Sequence, residues 1–376
     1  MKTLLGQLSV LLQPRGGLFV GVTHLPTDPD DARYRVVMVN TGKLRFSDRP
    51  DASFVVTGCG TGFTEEEALV PAIAEGLERY SSSRFLQEQF LVATANELGA
   101  DAIDLSSLPV CSTRELSDLS CPLMKPERGK PLRWVRAVRL RDGKCVYIPS
   151  VLVYLHISYN LPAERICFPI STGCAAHSTL EQAVLSALLE VIERDAISIL
   201  WLQKLPFPRV IIDIDHPKLR HHLNSYELAS SGIQYHFFDA STDLGIPVIY
   251  GIRTSVHSPK TLTLVACSAA LDGVEATAKV FKDLATVPIG FRNSREIPGD
   301  ISDFAGIYDG ATYMADAQRS NAFNFLLKTR STRLLSEISN YSSLSTDPLR
   351  SLVKSLASKG IDAYAVVTCP LKLIQS

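Results

Sequence analysis

The sequence predicts a mixed α/β (α+β) fold, with mixed sheets, packed helices and an internal pseudo-repeat of one helix motif. Three observations predict it. Branched, apolar runs of strand length alternate with amphipathic helical patterns. Helix-ending glycines stand directly before such runs. One helix pattern occurs twice in the first half of the chain, in the same register. The 376 residues are 46% hydrophobic and 20% charged, an ordinary globular composition. That length allows two or three packed subdomains.

Met1 to Leu12 is apolar but interrupted by Gln7 and Ser9, with no small-residue cleavage site after it. It reads as a short helix rather than a signal peptide. Residues 1–56 read as an N-terminal helix/strand segment, and 57–376 as the main domain. Leu132 to Leu140 reads as a strand. Asp142-Gly143 then gives a tight turn, and Cys145 to Tyr154 resumes as a strand broken by Pro149. Pro208 to Ile214 is another apolar, branched segment. Leu228 to Ile233, running on to Asp239, and Leu356 to Ile361, running on to Thr368, each read as helix, glycine cap, strand. Arg292 to Gly310 is polar and reads as a surface loop. Trp134 and Trp201 read as core.

The formal net charge of −1 gives no electrostatic case for nucleic acid or an anionic membrane. No run is long and apolar enough to span a bilayer. The 8 cysteines form no C-x-x-C pair and no zinc spacing, which suits reduced thiols in a cytoplasmic protein.

The repeat carries the chemistry. Thr64 to Tyr80 reads TEEEALVPAIAEGLERY, and Thr179 to Asp195 reads TLEQAVLSALLEVIERD. They align without a gap, matching the threonine, Ala68 with Ala183, Ala72 with Ala187, both glutamates and the arginine. A glycine-bearing turn is expected ahead of each, at Gly58 to Gly62 and at Ser171-Thr172-Gly173. A degenerate third copy runs from Asp272 to Val287, with Ala276 and Asp283 in register. Glu75, Glu78 and Arg79 stand at i, i+3, i+4 and share one helical face, as do Glu190, Glu193 and Arg194.

Side by side, two such helices present four carboxylates and two guanidiniums to one space. Carboxylates that close repel each other unless cations separate them. Mg2+ supplies that charge and prefers a few carboxylates with phosphate oxygens and water. The arginines suit phosphate oxygens, and glycine turns at the helix starts would bring backbone N–H groups to phosphate. The expectation is a magnesium–nucleotide site in two pseudo-equivalent halves. A lone E-x-x-E-R helix is ordinarily a solvated face with an ion pair worth about 0.3–0.5 kcal/mol. Here the second helix is apolar nearly all round, from Leu185 to Trp201, which predicts burial on several sides. Unpartnered charges there would cost several kcal/mol each.

Ser186 stands one turn before Glu190 on the same face and can reach nucleotide or metal-bound water. The first copy has Pro71 there, so that helix either begins near Val70 or kinks. His177 suits either a general base or a capping or packed histidine.

The run Ser171-Thr172-Gly173, Ala175-Ala176-His177, Leu189-Glu190-Val191-Ile192-Glu193-Arg194-Asp195-Ala196 and Trp201 resembles the YcaO family. Gly60-Thr61-Gly62 through Glu75-Gly76-Leu77-Glu78-Arg79-Tyr80 matches its first motif. The chain is most similar to the D-protein branch, found with streptolysin-like and other thiazole/oxazole-modified peptides. The resemblance implies the YcaO fold, ATP and Mg2+ as cofactors, and activation of backbone amides in a ribosomally made precursor peptide. A Cys, Ser or Thr side chain attacks the preceding carbonyl, the amide oxygen is phosphorylated, and loss of phosphate leaves an azoline ring. It also implies that Glu75, Glu78, Glu190 and Glu193 hold Mg2+ and nucleotide, that Arg79 and Arg194 meet phosphates or order those glutamates, and that Glu190, Glu193 and Arg194 are catalytic.

The sequence departs from the family in three places. Pro71 replaces a serine. The third motif, a Gln and then an Arg four residues on in the family, reads Asp283, Thr286, Gly290, with Arg292 as the substitute; Asp283 and Arg292 join the expected nucleotide-binding set. The chain stops at Gln375-Ser376, where relatives continue into a proline-rich tail, so the domain reads as short at its C-terminus. The alternatives are thioamide or amidine formation by the same ATP chemistry, and an ATP-binding, non-catalytic scaffold subunit. Without an E1-like (ubiquitin-activating-like) module, peptide capture calls for a separate partner protein. A flavin dehydrogenase in the same pathway and a homodimer are expected from the resemblance.

Overall fold

The computed structural model describes residues 2–13, 15–28, 31–49, 51–224, 232–256, 261–291, 299–304, 307–341 and 346–368. The mixed α/β expectation holds, with three main sheets and a short hairpin of β3 (Leu44–Arg45) and β4 (Ser53–Phe54). The N-terminal residues form α1 (Lys2–Leu8). No described helix is long and apolar enough to cross a membrane.

The first sheet is antiparallel, in the order β1 (Phe19–His24), β2 (Arg35–Thr41), β5 (Thr57–Gly62), and α2 (Glu65–Ser82) lies on it. Val37 and Val39 of β2 alternate inward and pack with Phe19 and with Ala68, Ala72 and Ile73 of α2. The segment before residue 57 therefore shares one core with the first repeat helix.

The second sheet has the order β14 (Tyr364–Ala365), β7 (Pro131–Arg139), β6 (Leu91–Thr94), and β8 (Cys145–Pro149) also pairs with β7. The one-turn helices α3 (Ala95–Leu98) and α4 (Thr113–Leu116) follow β6. The β7–β8 turn has Gly143 at φ +73°, as Asp142-Gly143 predicts. Strand β8 stops at Pro149 rather than Tyr154, because proline lacks the N–H the ladder needs, and Ser150–Leu152 coil into a 3-10 turn. Trp134 is fully buried, and its indole N–H donates to the Ala93 carbonyl at 2.8 Å.

The third sheet has five strands in the order β12 (Thr263–Ala269), β11 (Val248–Ser255), β10 (Ile233–Asp239), β9 (Arg209–Ile211), β13 (Thr332–Leu334). Only the β9–β13 pair is parallel. Helix α5 (Leu180–Gln203) covers one face through Ile192, Ala196 and Leu200. Short α6 (Pro217–Leu223) and α7 (Gly273–Phe291) cover the other, with Ala276, Val280 and Leu284 inward. Helices α8 (Ile307–Ala315), α9 (Asn324–Leu327) and α10 (Pro348–Ser358) complete the shell.

Some local expectations change. Residues 225–231, which carry most of the helix expected before β10, and Arg292 both lie outside the described residues, while the expected cap Gly232 forms a turn directly before β10. Within the Arg292–Gly310 stretch read as loop, residues from 307 onward belong to α8. At the C-terminal end, α10 is followed by Gly360 at φ +75° and then β14, a strand of only two residues.

Candidate active site

The repeat is real at the level of backbone capping. Thr64 Oγ1 accepts from the Glu67 N–H at 3.2 Å and Thr179 Oγ1 from the Gln182 N–H at 3.3 Å. Asp272 Oδ1 accepts from the Glu275 N–H at 2.7 Å, so the degenerate third copy, α7, starts on the same device. The register also continues past the sequence match. Ser83 Oγ donates to the Arg79 carbonyl at 2.5 Å and Ser198 Oγ to the Arg194 carbonyl at 2.8 Å.

Each motif then repeats its own geometry. The Cys59 N–H donates to Glu75 Oε2 at 2.5 Å, while Arg79 Nη2 donates to Glu75 Oε1 at 2.7 Å. In the second copy the Gly173 N–H donates to Glu190 Oε2 at 3.0 Å, and Arg194 Nη2 to Glu190 Oε1 at 3.4 Å. Gly173 has φ +84°, a left-handed turn that favours glycine and directs its N–H at the carboxylate. Glu193 Oε2 accepts from the Ala269 N–H at 3.2 Å on the outer edge of β12, with Arg194 Nε 3.5 Å from its other oxygen.

Electrostatics show that the three helices converge. Burial pushes the Glu78 carboxyl up to about 8, and the charges of Glu190 and Glu75 add to this against Arg79 and the Ala176 N–H. Burial likewise pushes Glu193 up to about 7, opposed by Arg194 and the Ala269 N–H and reinforced by Glu190 and Asp283. Asp283, on α7, is raised by burial against the pull of Lys282 and Lys279. Glu78 of α2 thus lies within electrostatic reach of Glu190 of α5, and Glu193 within reach of Asp283. All five carboxylates predicted from sequence belong to one electrostatic unit, with the two arginines half-exposed beside it.

Such a unit fits a cation. Five carboxylates face two guanidiniums, and the buried members take up protons when no other positive charge is present. Among the described residues, no three His, Cys, Asp or Glu groups converge on one metal position. The protein alone is therefore not a closed metal cage. This donor set suits Mg2+, which keeps water and shares phosphate oxygens.

Several expectations need correction. The Gly58–Gly62 run is not a phosphate-binding turn; it is strand β5, paired to β2 and pressed against α2. A Cβ on Gly60 would stand 2.0 Å from the Ala68 carbonyl oxygen and 2.4 Å from the Ala72 nitrogen, so glycine is there for close packing. Helix α2 begins at Glu65 and runs through Pro71, which sits over Gly60. Its serine counterpart, Ser186, is exposed on α5. Helix α5 is not buried all round. Only Ile192, Ala196 and Leu200 are fully buried, and Val191 and Leu202 are 46% and 81% exposed. His177 is exposed, and its Nδ1 accepts from the Ser178 N–H at 2.9 Å just ahead of the helix cap.

Sequence reasoning missed Cys174, whose half-buried thiol hydrogen-bonds with Ser82 and is raised by burial and by the charges of Glu78 and Glu190. It also missed the backbone donors Cys59, Ala176 and Ala269, which no side-chain pattern marks.

Solved structures share the fold. A heterocyclase in complex with substrate and cofactor superposes with a TM-score of 0.77 at 18% identity, over 98% of this chain and 50% of that one. YcaO from Methanopyrus kandleri, bound with AMPPCP and Mg2+, gives a TM-score of 0.66 at 16% identity, over 98% of this chain and 86% of that one. An uncharacterized protein of Methanothermobacter thermautotrophicus is 27% identical over 214 residues, 54% of this chain. The chain spans about half the length of the curated relatives it matches. The family model described as YcaO cyclodehydratase, ATP- and Mg2+-binding, matches residues 59–372, and the chain belongs to the YcaO family.

Proposed function

We propose that the chain uses ATP and Mg2+ to activate backbone amides of a ribosomally made precursor peptide, closing Cys, Ser or Thr side chains into azoline rings. The observation that carries this reading is the carboxylate unit shared by α2, α5 and α7, in which Glu78 lies within electrostatic reach of Glu190 and Glu193 within reach of Asp283. Glu75, Glu78, Glu190 and Glu193 would hold Mg2+ and, through it, the nucleotide. Arg79 and Arg194 order Glu75 and Glu190 now and are exposed enough to swing to phosphate oxygens. Ser186, on the same helix, and Asp283 join them as nucleotide contacts.

ATP supplies the phosphoryl group that turns an amide oxygen into a good leaving group. The protein's share is positioning and charge neutralisation. Of the expected roles, catalysis rests with Glu190, Glu193 and Arg194. The D-protein branch is the placement we favour, on the second motif. A separate E1-like or peptide-recognition protein would deliver the precursor, with a flavin dehydrogenase acting on the azolines.

The test is calorimetry of Mg-ATP on the wild type and on Glu190→Ala with Glu193→Ala. Binding by the first and not the second is expected. Equal binding by both would sink the site. Mass spectrometry of the cognate peptide then separates the chemistries, since azoline formation removes one water and a thioamide exchanges oxygen for sulfur.

A further inference from the structure

The outer edge of β12 leads away from the carboxylates. Strand β12 ends the five-strand order, so one of its sides pairs with no strand among the described residues. The Ala269 N–H points to that side, because it donates to Glu193. Strand alternation then turns the N–H and C=O groups of Cys267, Val265 and Thr263 the same way. The bonds to β11 agree: the Ala270 N–H donates to the Pro247 carbonyl and the Leu262 carbonyl accepts from the Ser255 N–H, which turns the even-numbered residues of β12 inward.

This edge runs into an apolar groove of about 430 Å³. Val265 forms its floor and Trp201 of α5 one wall. Val287 and Phe291 of α7 form the other, and Ala311 and Met314 of α8 the outer rim. Val265 is 38% exposed there. The carboxylate end and the groove end of β12 lie on the order of 20 Å apart.

We propose that this edge is the docking track for the peptide whose amide is activated. The occupant is an extended, uncharged segment of substrate, added beside β12 as one more strand. Backbone groups of Cys267 and Val265 hold its main chain, and the groove takes an apolar side chain about five residues from the reacting Cys, Ser or Thr. Two observations choose this occupant. Between the buried Thr263 and Ala269, and facing the groove beside α8, Val265 and Cys267 offer outward backbone donors and acceptors at alternate residues, which a strand satisfies and a small molecule does not. The same row of outward groups ends at Glu193, so a strand on it arrives at the carboxylates. The inference rests on the amide-activation reading for its chemistry but not for its geometry.

The test uses fluorescein-labelled Gly/Ser peptides with one Cys and a Leu about five residues away on either side, and twins with Gly in place of Leu. Anisotropy reads peptide binding, and Mg-ATP calorimetry is run in parallel. Leu should improve binding about tenfold or more on one side of the Cys. Val265→Pro removes an outward N–H that the sheet does not use, and Ala311→Trp fills the groove from an exposed helical position. Both should erase the Leu advantage. An N-methylated peptide, with the methyls on alternate residues, should lose binding in one register only. A Leu advantage that survives both variants overturns the track, as does absence of peptide binding to protein that binds Mg-ATP. Peptide binding with these signatures in protein that fails to bind Mg-ATP keeps the track and overturns the nucleotide reading instead.

Discussion

Mg-ATP binding should release protons from the protein, by an amount the site's geometry sets. Burial and mutual repulsion hold Glu78 at about 8 and Glu193 at about 7. At pH 7, the first is about nine-tenths protonated and the second about half, so the two carry about 1.4 protons. A cation among the carboxylates favours their charged forms and expels those protons. Calorimetry in two buffers of different ionisation enthalpy measures the release directly. The nucleotide contributes protons of its own, so the decisive quantity is the difference between wild type and Glu78→Gln, expected at about 0.9 proton at pH 7. At pH 9.5 both groups are ionised already, and the difference should fall to near zero. A difference near zero at both pH values would refute the argument, because Glu78 would then be neither protonated in the free protein nor close to the cation.

Four further predictions follow from packing and charge. Gly60→Ala should destabilise the chain by about 2–4 kcal/mol in urea unfolding, because its methyl meets α2 backbone. Gly290→Ala, with open space around it on α7, should stabilise by about 0.5–1 kcal/mol. His222 accepts or donates in a 2.6 Å bond with Tyr34 Oη, and burial with Lys282, His221 and Lys218 nearby holds it down at about 4. A depressed histidine gives stability that is complete above its unfolded value near 6.5 and lost as pH falls toward 4. His222→Asn should flatten that limb of the Tm–pH profile by up to about one proton, and an unchanged limb would count against it. Arg253 is 7% exposed, and its Nε and Nη1 have no hydrogen-bond partner among the described residues. Arg253→Met should leave stability unchanged or raise it by about 1 kcal/mol, and a loss of that size would show a hidden partner.

The candidate site was legible where chemistry sits in side chains at helical spacing. Two E-x-x-E-R clusters in one register suffice to place Glu75, Glu78, Glu190 and Glu193 on matching faces, and Asp283 follows from the same frame. What the sequence hid was held by backbone or by distant partners. Cys59, Ala176 and Ala269 act through N–H groups that every residue owns. The Gly58–Gly62 run looks like a turn by composition, and only the helix lying on it reveals a strand stripped of side chains. Helix α5 looked buried all round because apolar residues alone do not say which neighbours cover them. Strand order was illegible for the same reason, since pairing joins segments far apart in the chain.

The three acidic helices draw on separate apolar clusters: α2 packs with Phe19 and Val39, α5 with Tyr250 and Leu326, and α7 with Ile249 and Phe237. A small cluster of Ala285 on α7 with Ala32, Tyr34 and Phe63 ties α7 to the chain beside the first sheet. The carboxylates thus sit at a seam where α2 on the first sheet meets α5 and α7 on the two faces of the third, and they oppose one another with like charge. A cation bound among them would do more than neutralise charge. It would also act as a fastener across the seam, and its arrival and departure would set how firmly the pieces are joined.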